Sequence, residues 1–257
     1  MPRGSEPIWM SRPSRDPVRT QTPKPARWQQ LLRDAIRNAD ELLAILGLDP
    51  QMGDSIQPSP SDFPLLVPRG FVARMRRGNP DDPLLRQVLP RSVERDKRLG
   101  FTKDPLREKP LVRHGIIEKY PSRALIVTTA ACPVHCRYCF RRHFSYESQS
   151  ASRSNWADII ATLETRDNTR EIILSGGDPL SLSNHRLQHL ISELETIPAL
   201  ASLRIHSRFP IVLPERVDQG LIALLRQTRL KTVLVVHCNH ANEIDESVQQ
   251  ALEDVSA

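Results

Sequence analysis

Residues 124–139 read ALIVTTAACPVHCRYC, a run of apolar and β-branched residues followed at once by three closely spaced cysteines. The apolar part, Ala124–Thr129, predicts a buried strand, because β-branched side chains suit an extended backbone. Cys132, Cys136 and Cys139 follow in a tight loop. Thiolates at this spacing can converge on one soft metal centre if the backbone wraps around it. The stretch therefore predicts a strand that ends in a metal-binding loop.

The identity of the metal is open to two interpretations. A structural zinc site could add His135 or His143, but zinc sites usually combine two separated ligand pairs, and this loop has one compact triplet. A cubane cluster has one more iron than this loop has cysteines, so three thiolates leave one iron open to a further ligand. We expect the cluster. The chain has only four cysteines, and this uneven placement does not fit a disulfide-stapled secreted domain, so it predicts a reducing compartment.

After Tyr120, short β-branched runs alternate with amphipathic segments, which is typical of βα units around a parallel sheet. We predict strands at Ala124–Thr129, Glu171–Ser175, Leu203–His206 and Thr232–His237, and helices at Trp156–Thr165, His185–Thr196, Glu215–Gln227 and Glu243–Val255. Each strand runs into a polar or Gly-rich motif. Because the carboxyl ends of parallel strands meet at one edge, these motifs should converge on one rim.

The N-terminal part has a different composition. Residues 1–26 are rich in Pro, Arg and Ser and predict a disordered tail. Residues 27–119 predict a helical extension, with a helix over Trp28–Leu48 that is interrupted near Asn38, followed by short helices and turns. Residues 120–257 then form the α/β domain.

Charge and hydropathy exclude several classes of protein. The formal net charge is +6, but the basic residues are scattered and form no aromatic-interleaved stripe, so no direct nucleic-acid partner is expected. No stretch approaches the roughly 20 apolar residues of a membrane span. The N-terminus lacks the apolar core of a secretory signal. We expect a cytoplasmic protein without a membrane partner.

Four blocks of sequence resemble one family. The run YPSRALIVTTAACPVHCRYCFRRHF, residues 120–144, is similar to the lysine 2,3-aminomutase family of radical S-adenosylmethionine (SAM) enzymes. SGGDPL at 175–180, RIHSRFPIVLPERV at 204–217 and HCNHANEI at 237–244 resemble further blocks. GNPDDPLLRQ at 78–87 and CRYCFRRHF at 136–144 resemble the branch that makes β-lysine for attachment to translation elongation factor P. The resemblance implies an α/β fold, a partial (β/α) barrel of the radical SAM type with a helical N-terminal extension.

The resemblance also implies cofactors and partners. Cys132, Cys136 and Cys139 would hold a [4Fe-4S] cluster whose open iron chelates SAM, and reduction would split SAM into methionine and a 5′-deoxyadenosyl radical. Pyridoxal 5′-phosphate (PLP) is the second cofactor and L-lysine the substrate, whose amino group shifts to give β-lysine. The resemblance further implies a reductant protein such as flavodoxin or ferredoxin, and a functional link to an elongation factor P lysyl ligase. The alternatives that stay open are a radical SAM enzyme without PLP, an inactive truncated fragment and a zinc-binding module.

Several residues match functional positions of the family. Arg141 matches an arginine that binds the lysine carboxylate, where a planar fork suits bidentate pairing. By the resemblance, the Gly176-Gly177-Asp178 turn meets the aminated end of SAM, although an ordinary strand-to-helix turn has the same composition. The other candidates are His206, Ser207 and Arg208 for SAM, Tyr120 and Arg123 near PLP, and His237, Asn239, His240 and Asn242 in the same pocket.

Ordinary structural roles remain alternatives for these residues. Tyr120 can be a core tyrosine and Arg123 a surface arginine, and any one histidine can be a packed core residue. Arg142 and His143 are expected on the cluster loop or the surface. Cys238 has no metal-ligand spacing to the triplet and is expected to be a small buried hydrophobe.

The lysine that anchors PLP in this family, and a carboxylate pair for the substrate ammonium, lie beyond the motifs matched here. The six lysines of the chain do not occupy the matching place: Lys24, Lys97, Lys103, Lys109, Lys119 and Lys231. We therefore expect the anchoring lysine, and the last strand and helix of the partial barrel, to lie beyond Ala257, so that the chain is truncated at its C-terminus.

Overall fold

A computed structural model describes residues 25–49, 63–96, 99–108, 112–113, 115–144, 146, 156–166 and 168–257. The predicted disorder of residues 1–26 falls almost wholly outside these ranges, as does part of the predicted helix-and-turn segment. None of the helices in the described ranges is both long enough and apolar enough to cross a membrane.

Helices and strands follow one another in the order typical of βα units. The helices are α1 (Arg27–Arg33), α2 (Ala39–Leu46), α3 (Arg69–Ala73), α4 (Leu85–Val88), α5 (Trp156–Glu164), α6 (Asn184–Glu195), α7 (Phe209–Val212), α8 (Gln219–Gln227) and α9 (Glu246–Ser256). The strands are β1 (Val112–Arg113), β2 (Ile116–Tyr120), β3 (Arg123–Thr129), β4 (Glu171–Gly176), β5 (Ser202–Ser207) and β6 (Lys231–Val236). Single 3-10 turns occupy Ser92–Arg95, Pro179–Ser181, Pro214–Arg216 and Ala241–Glu243.

Within the described ranges, six strands form one open sheet in the order β1-β2-β3-β4-β5-β6. Strands β3 to β6 are parallel, with Leu125, Ile173, Arg204 and Val233 in register. Parallel neighbours need crossover connections, and α5, α6 and α8 supply them. The predicted α/β class is confirmed, and the open sheet is compatible with a partial barrel.

Residues 27–119 were expected to be helical, but they contain strand β1 and all of strand β2 except its last residue, Tyr120. The two strands form a hairpin around Gly115, whose φ of 81° favours glycine, and β2 pairs antiparallel with β3. Ile116 and Ile117 are buried, so the hairpin extends the sheet core. A two-residue strand offers too little alternation for a sequence pattern to reveal it.

The predicted interruption near Asn38 is also seen. Ile36 forms an isolated antiparallel bridge with Val67, and the Asn38 side chain then caps α2 by accepting from the Asp40 amide at 2.7 Å. The extension and the sheet share one core, in which Trp28 packs edge-on against Phe209 with ring centroids 5.6 Å apart. The extension is therefore packed directly against the carboxyl end of β5.

Candidate active site

The carboxyl ends of β3 to β6 surround a cavity of about 440 Å³, a size that suits a small ligand or cofactor. Each strand contributes the residues that follow it. The lining includes Cys132, Cys136, Cys139, Arg141, Ser175, Gly176, Gly177, Asp178, His206, Ser207, Arg208, His237 and Asn239. The parallel sheet thus brings most of the candidate residues to one rim.

The three cysteines of the loop after β3 are half-buried in the cavity wall. Burial raises the pKa of the Cys132 and Cys139 thiols, so forming the thiolates is left to an incoming metal. Among the described residues, no three Cys, His, Asp or Glu side chains lie close enough together to hold a single ion. All three cysteines nevertheless line the same cavity, as the ligands of one multi-iron cluster must.

His135, a possible fourth zinc ligand, has other partners. Its Nδ1 lies 2.9 Å from the carbonyl oxygen of Pro64, and its ring stacks on Phe63. The ring is therefore engaged by the N-terminal extension, which weakens the zinc interpretation.

The N-terminal extension holds the cysteine loop through both backbone and side chains. The amide of Arg137 donates to the Gln87 carbonyl at 2.7 Å, and the amide of His135 donates to the Leu66 carbonyl at 2.9 Å. Glu94 accepts from Arg137 Nε at 2.9 Å and from Arg142 Nη1 at 2.8 Å. These contacts fix both flanks of Cys136 and Cys139.

Glu94 carries a perturbed carboxyl group. Burial by itself raises its pKa, but the hydrogen bonds from Arg137 and Arg142 outweigh that effect and lower the pKa below its ordinary value. Sequence reasoning missed Glu94, because a glutamate in a short 3-10 turn far from the cysteines carries no motif. Its partners Arg137 and Arg142, two arginines in and just after the cysteine loop, were the available signal.

Gly176 and Gly177 are required by a close approach of two backbone segments. Gly176 has a φ of 114°, and a Cβ on Gly177 would lie 2.8 Å from the Ala130 carbonyl carbon. The Gly177 amide donates to the Thr129 carbonyl at 2.6 Å, and the next amide, of Asp178, donates to Ala131 at 2.7 Å. The turn after β4 therefore supports the segment that leads into the cysteine loop, in addition to lining the cavity.

The carboxylate of Asp178 accepts hydrogen bonds from other residues of the chain. It accepts from Ser207 Oγ at 2.8 Å, from the Arg208 amide at 2.7 Å and from the Leu180 amide at 3.0 Å. Burial raises the pKa of Asp178 to about 6. Asp178 and Ser207 thus tie the ends of β4 and β5 together, so their contribution to the site is chiefly to fix the rim.

Arg141 is buried at the cavity wall, with 7% of its surface exposed. Its Nε and Nη2 donate to the two oxygens of Glu108 at 2.7 and 2.9 Å, and its Nη1 donates to Ser175 Oγ at 2.9 Å. The Phe140 ring lies 4.8 Å from the guanidinium carbon. One N–H on each terminal nitrogen remains after these bonds, so the end of the fork can still take a carboxylate.

His206 and His237 both line the cavity and pack edge to face, with ring centroids 5.6 Å apart. Burial lowers the pKa of His206 to about 4 and, with nearby Arg208 and Arg141, lowers that of His237. Both rings are therefore neutral at pH 7. His206 Nε2 is buried and has no hydrogen-bond partner among the described residues.

Other candidates lie away from the cavity. Tyr120, with 63% of its surface exposed, and Arg123 lie at the amino end of β3, the end opposite to the cysteine loop. Arg123 Nε pairs with Glu171 at 2.7 Å. His240 lines a neighbouring pocket with Tyr138 and Asn239. Asn242 donates its amide to the ring of His240 within a 3-10 turn.

The expectation that Cys238 is buried is wrong, because the side chain is exposed. It follows β6 on the rim, two residues beyond the last residue of the strand, where the sheet no longer covers it.

A buried carboxyl group after β6 was not predicted from the sequence. Glu243, in the 3-10 turn after β6, has 0% of its surface exposed and pairs with Arg208.

Comparison with known proteins gives results in keeping with this geometry. The family model of the radical SAM superfamily matches residues 126–252, and radical SAM domains bind a [4Fe-4S] cluster and SAM. L-lysine 2,3-aminomutase of Escherichia coli is 43% identical over 239 residues, which cover 91% of this chain and 69% of that protein. The Haemophilus influenzae enzyme of the same name is 39% identical, with coverage of 90% and 68%. That of Acetoanaerobium sticklandii is 32% identical, with coverage of 88% and 55%.

Proposed function

Because the chain belongs to the lysine 2,3-aminomutase family, isomerases with a radical SAM domain, we propose that it acts in the conversion of L-lysine to β-lysine. The observation that carries the proposal is the placement of the three-cysteine loop and the buried Arg141 on the wall of one cavity. A radical generated at the cysteines would need its substrate held within the same enclosed space.

We propose that Cys132, Cys136 and Cys139 hold the cluster, because the loop is fixed on both flanks and its thiols line the cavity. When bound, the cluster and SAM supply a carbon radical that removes hydrogen from the substrate. The glycine turn after β4 keeps the cysteine loop in place at the cavity wall.

Arg141 is proposed to bind the α-carboxylate of lysine. A guanidinium held by Glu108 and Ser175 keeps one orientation, and its remaining terminal N–H groups form a planar fork. Glu108 balances the charge of Arg141, and Arg208 lines the same cavity, so the proposal rests on the remaining N–H groups of Arg141 and not on an excess of positive charge. These donors can bind the carboxylate end of the substrate and not its ammonium.

PLP is part of the proposal only through the family. Among the described lysines, neither Lys103 nor Lys231 lines the cavity, so the residues described here do not provide an anchor for PLP. We propose no step for it. A radical SAM enzyme that works without PLP is the second candidate.

The proposed partners are a protein reductant such as flavodoxin or ferredoxin and, functionally, an elongation factor P lysyl ligase that would use β-lysine. The second link is supported by the resemblance of residues 78–87 and 136–144 to that branch of the family.

Anaerobic reaction of the reconstituted chain with dithionite, SAM, PLP and L-lysine tests the proposal. The E. coli relative serves as the positive control, and chromatography measures β-lysine and 5′-deoxyadenosine. Formation of β-lysine supports the aminomutase. Formation of 5′-deoxyadenosine that does not respond to PLP or lysine favours the second candidate, and absence of SAM cleavage with a fully loaded cluster contradicts both.

A further inference from the structure

Arg208 lies beside the middle cysteine of the loop. Its Nη1 is 2.8 Å from Cys136 Sγ and also contacts the hydroxyl of Tyr138. Only 6% of the Arg208 surface is exposed, so the guanidinium is shielded from water at this contact. A buried cation therefore donates a hydrogen bond directly to a proposed cluster ligand.

Two residues from distant parts of the chain hold the other end of this guanidinium. Arg208 Nη2 donates to Gln87 Oε1, and it lies 3.2 Å from Glu243 Oε1. Gln87 in turn donates from Nε2 to Glu243 Oε1 at 2.6 Å. Helix α4, the end of β5 and the turn after β6 thus meet at one buried network.

The arrangement also restricts the side chain sterically. The guanidinium carbon lies 5.6 Å from the centre of the Phe71 ring and 5.5 Å from that of the Tyr138 ring. Gln87 is itself 7% exposed, and Glu243 is fully buried. A guanidinium held between two rings and two buried acceptors has little freedom to leave Cys136.

A hydrogen bond and a positive charge at a ligand sulfur favour the reduced form of an iron–sulfur cluster, because reduction adds a negative charge that the cation stabilises. The effect is larger in a site shielded from solvent than in water. Since the radical step begins with one-electron reduction of the cluster, this interaction bears on how readily a reductant can start the reaction.

We propose that Arg208 raises the reduction potential of the cluster by donating a hydrogen bond to Cys136, and that Gln87 is the positioning residue that holds the guanidinium there. The inference rests on the proposed cluster site. It is separate from any contact with SAM, because the hydrogen bond is made to the ligand sulfur within the chain itself.

The test is a redox titration of the reconstituted chain without SAM, followed by the electron paramagnetic resonance signal of the reduced cluster. Arg208→Met should shift the midpoint potential to a more negative value. Arg208→Lys keeps the positive charge but lacks the two terminal nitrogens of the guanidinium. The midpoint potential should therefore shift in the same direction by a smaller amount. Arg186→Met, which removes an exposed charge on α6, should leave the potential unchanged.

Gln87→Leu separates positioning from general structural support, because this change is neutral in charge. It should lower the potential in the wild-type background and have no further effect when combined with Arg208→Met. If the Gln87 effect is equal in both backgrounds, Gln87 does not act through Arg208.

The remaining outcomes decide between the two proposals. An unchanged potential in both Arg208 variants overturns the inference while leaving the cluster site intact. If Arg208→Met fails to assemble a cluster, the Arg208→Lys variant decides. A wild-type chain that takes up no four-iron cluster removes the proposed function and the inference with it.

Discussion

Glu108 holds the guanidinium of Arg141 through a paired contact on the Nε and Nη2 side, and both side chains are almost fully buried. The carboxylate thus fixes the plane of the arginine before any substrate is bound. This relationship separates two roles that can be tested apart: substrate binding by Arg141 and its orientation by Glu108.

Replacing Arg141 with lysine should weaken the binding of L-lysine more than that of SAM, because an ammonium cannot form two parallel hydrogen bonds to a carboxylate. We expect a loss of about 1.5–3 kcal/mol, the range for hydrogen bonds to charged groups. Calorimetric titration of each ligand measures it, and Arg186→Lys is the control. An unchanged lysine affinity would remove Arg141 from the substrate site.

Removing the carboxylate that orients Arg141 should destabilise the fold. Glu108→Ala leaves a buried arginine without its main counter-ion, and breaking such pairs costs about 3–5 kcal/mol. Urea unfolding at pH 7 measures the change. The control is Glu41→Ala, whose pair with Arg69 is exposed and should be worth only about 0–1 kcal/mol. Equal losses in the free energy of unfolding would show that the buried Arg141–Glu108 pair is no stronger than an exposed pair.

Glu94 should make the stability of the chain depend on acidic pH. Its pKa is lower in the folded protein than the ordinary value of 4.5, so its contribution is fully present above pH 4.5 and is lost as the pH falls through the folded pKa. We expect the free energy of unfolding of the wild type to fall more steeply below pH 4.5 than that of Glu94→Gln. Parallel slopes for the two proteins would contradict this.

Gly177 should not tolerate a side chain. A Cβ there meets the backbone of Ala130 and Ala131, and overpacking of this kind costs about 1–3 kcal/mol. Gly177→Ala should therefore lower both stability and iron loading, because the displaced segment leads into the cysteine loop. Gly70→Ala is the matched control, since nothing lies within 4 Å of its Cβ position and alanine favours the helix. Normal iron loading in Gly177→Ala would show that this contact does not support the loop.

The sequence predicted the four parallel strands well, because each is a short β-branched run bounded by polar motifs. It also placed the functional motifs on one rim, since the carboxyl ends of parallel strands share an edge. The β1–β2 hairpin was missed because β1 has only two residues, and in β2 the apolar Ile116 and Ile117 are adjacent and do not alternate with polar residues.

The supports of the site could not be predicted from sequence. Glu94 and Glu108 lie outside the blocks that resemble the family, and Gln87 and Glu243 lie within such blocks without an assigned role. Each of the four reaches its partner only through tertiary packing. Their role depends on burial. A glutamate is expected at the surface from its residue type alone, but it becomes a counter-ion when it is packed against a buried arginine. Cys238 shows the reverse, because its hydrophobic character suggested burial and the rim leaves it exposed.

The most direct test of the three-cysteine site is the iron and inorganic sulfide content after anaerobic reconstitution, compared between Cys136→Ala and Cys238→Ala. The wild type and Cys238→Ala should each hold about four irons and four sulfides per chain, and Cys136→Ala should hold almost none. Loss of the cluster in Cys238→Ala would contradict the three-ligand site, and so would a wild-type chain that binds zinc without sulfide.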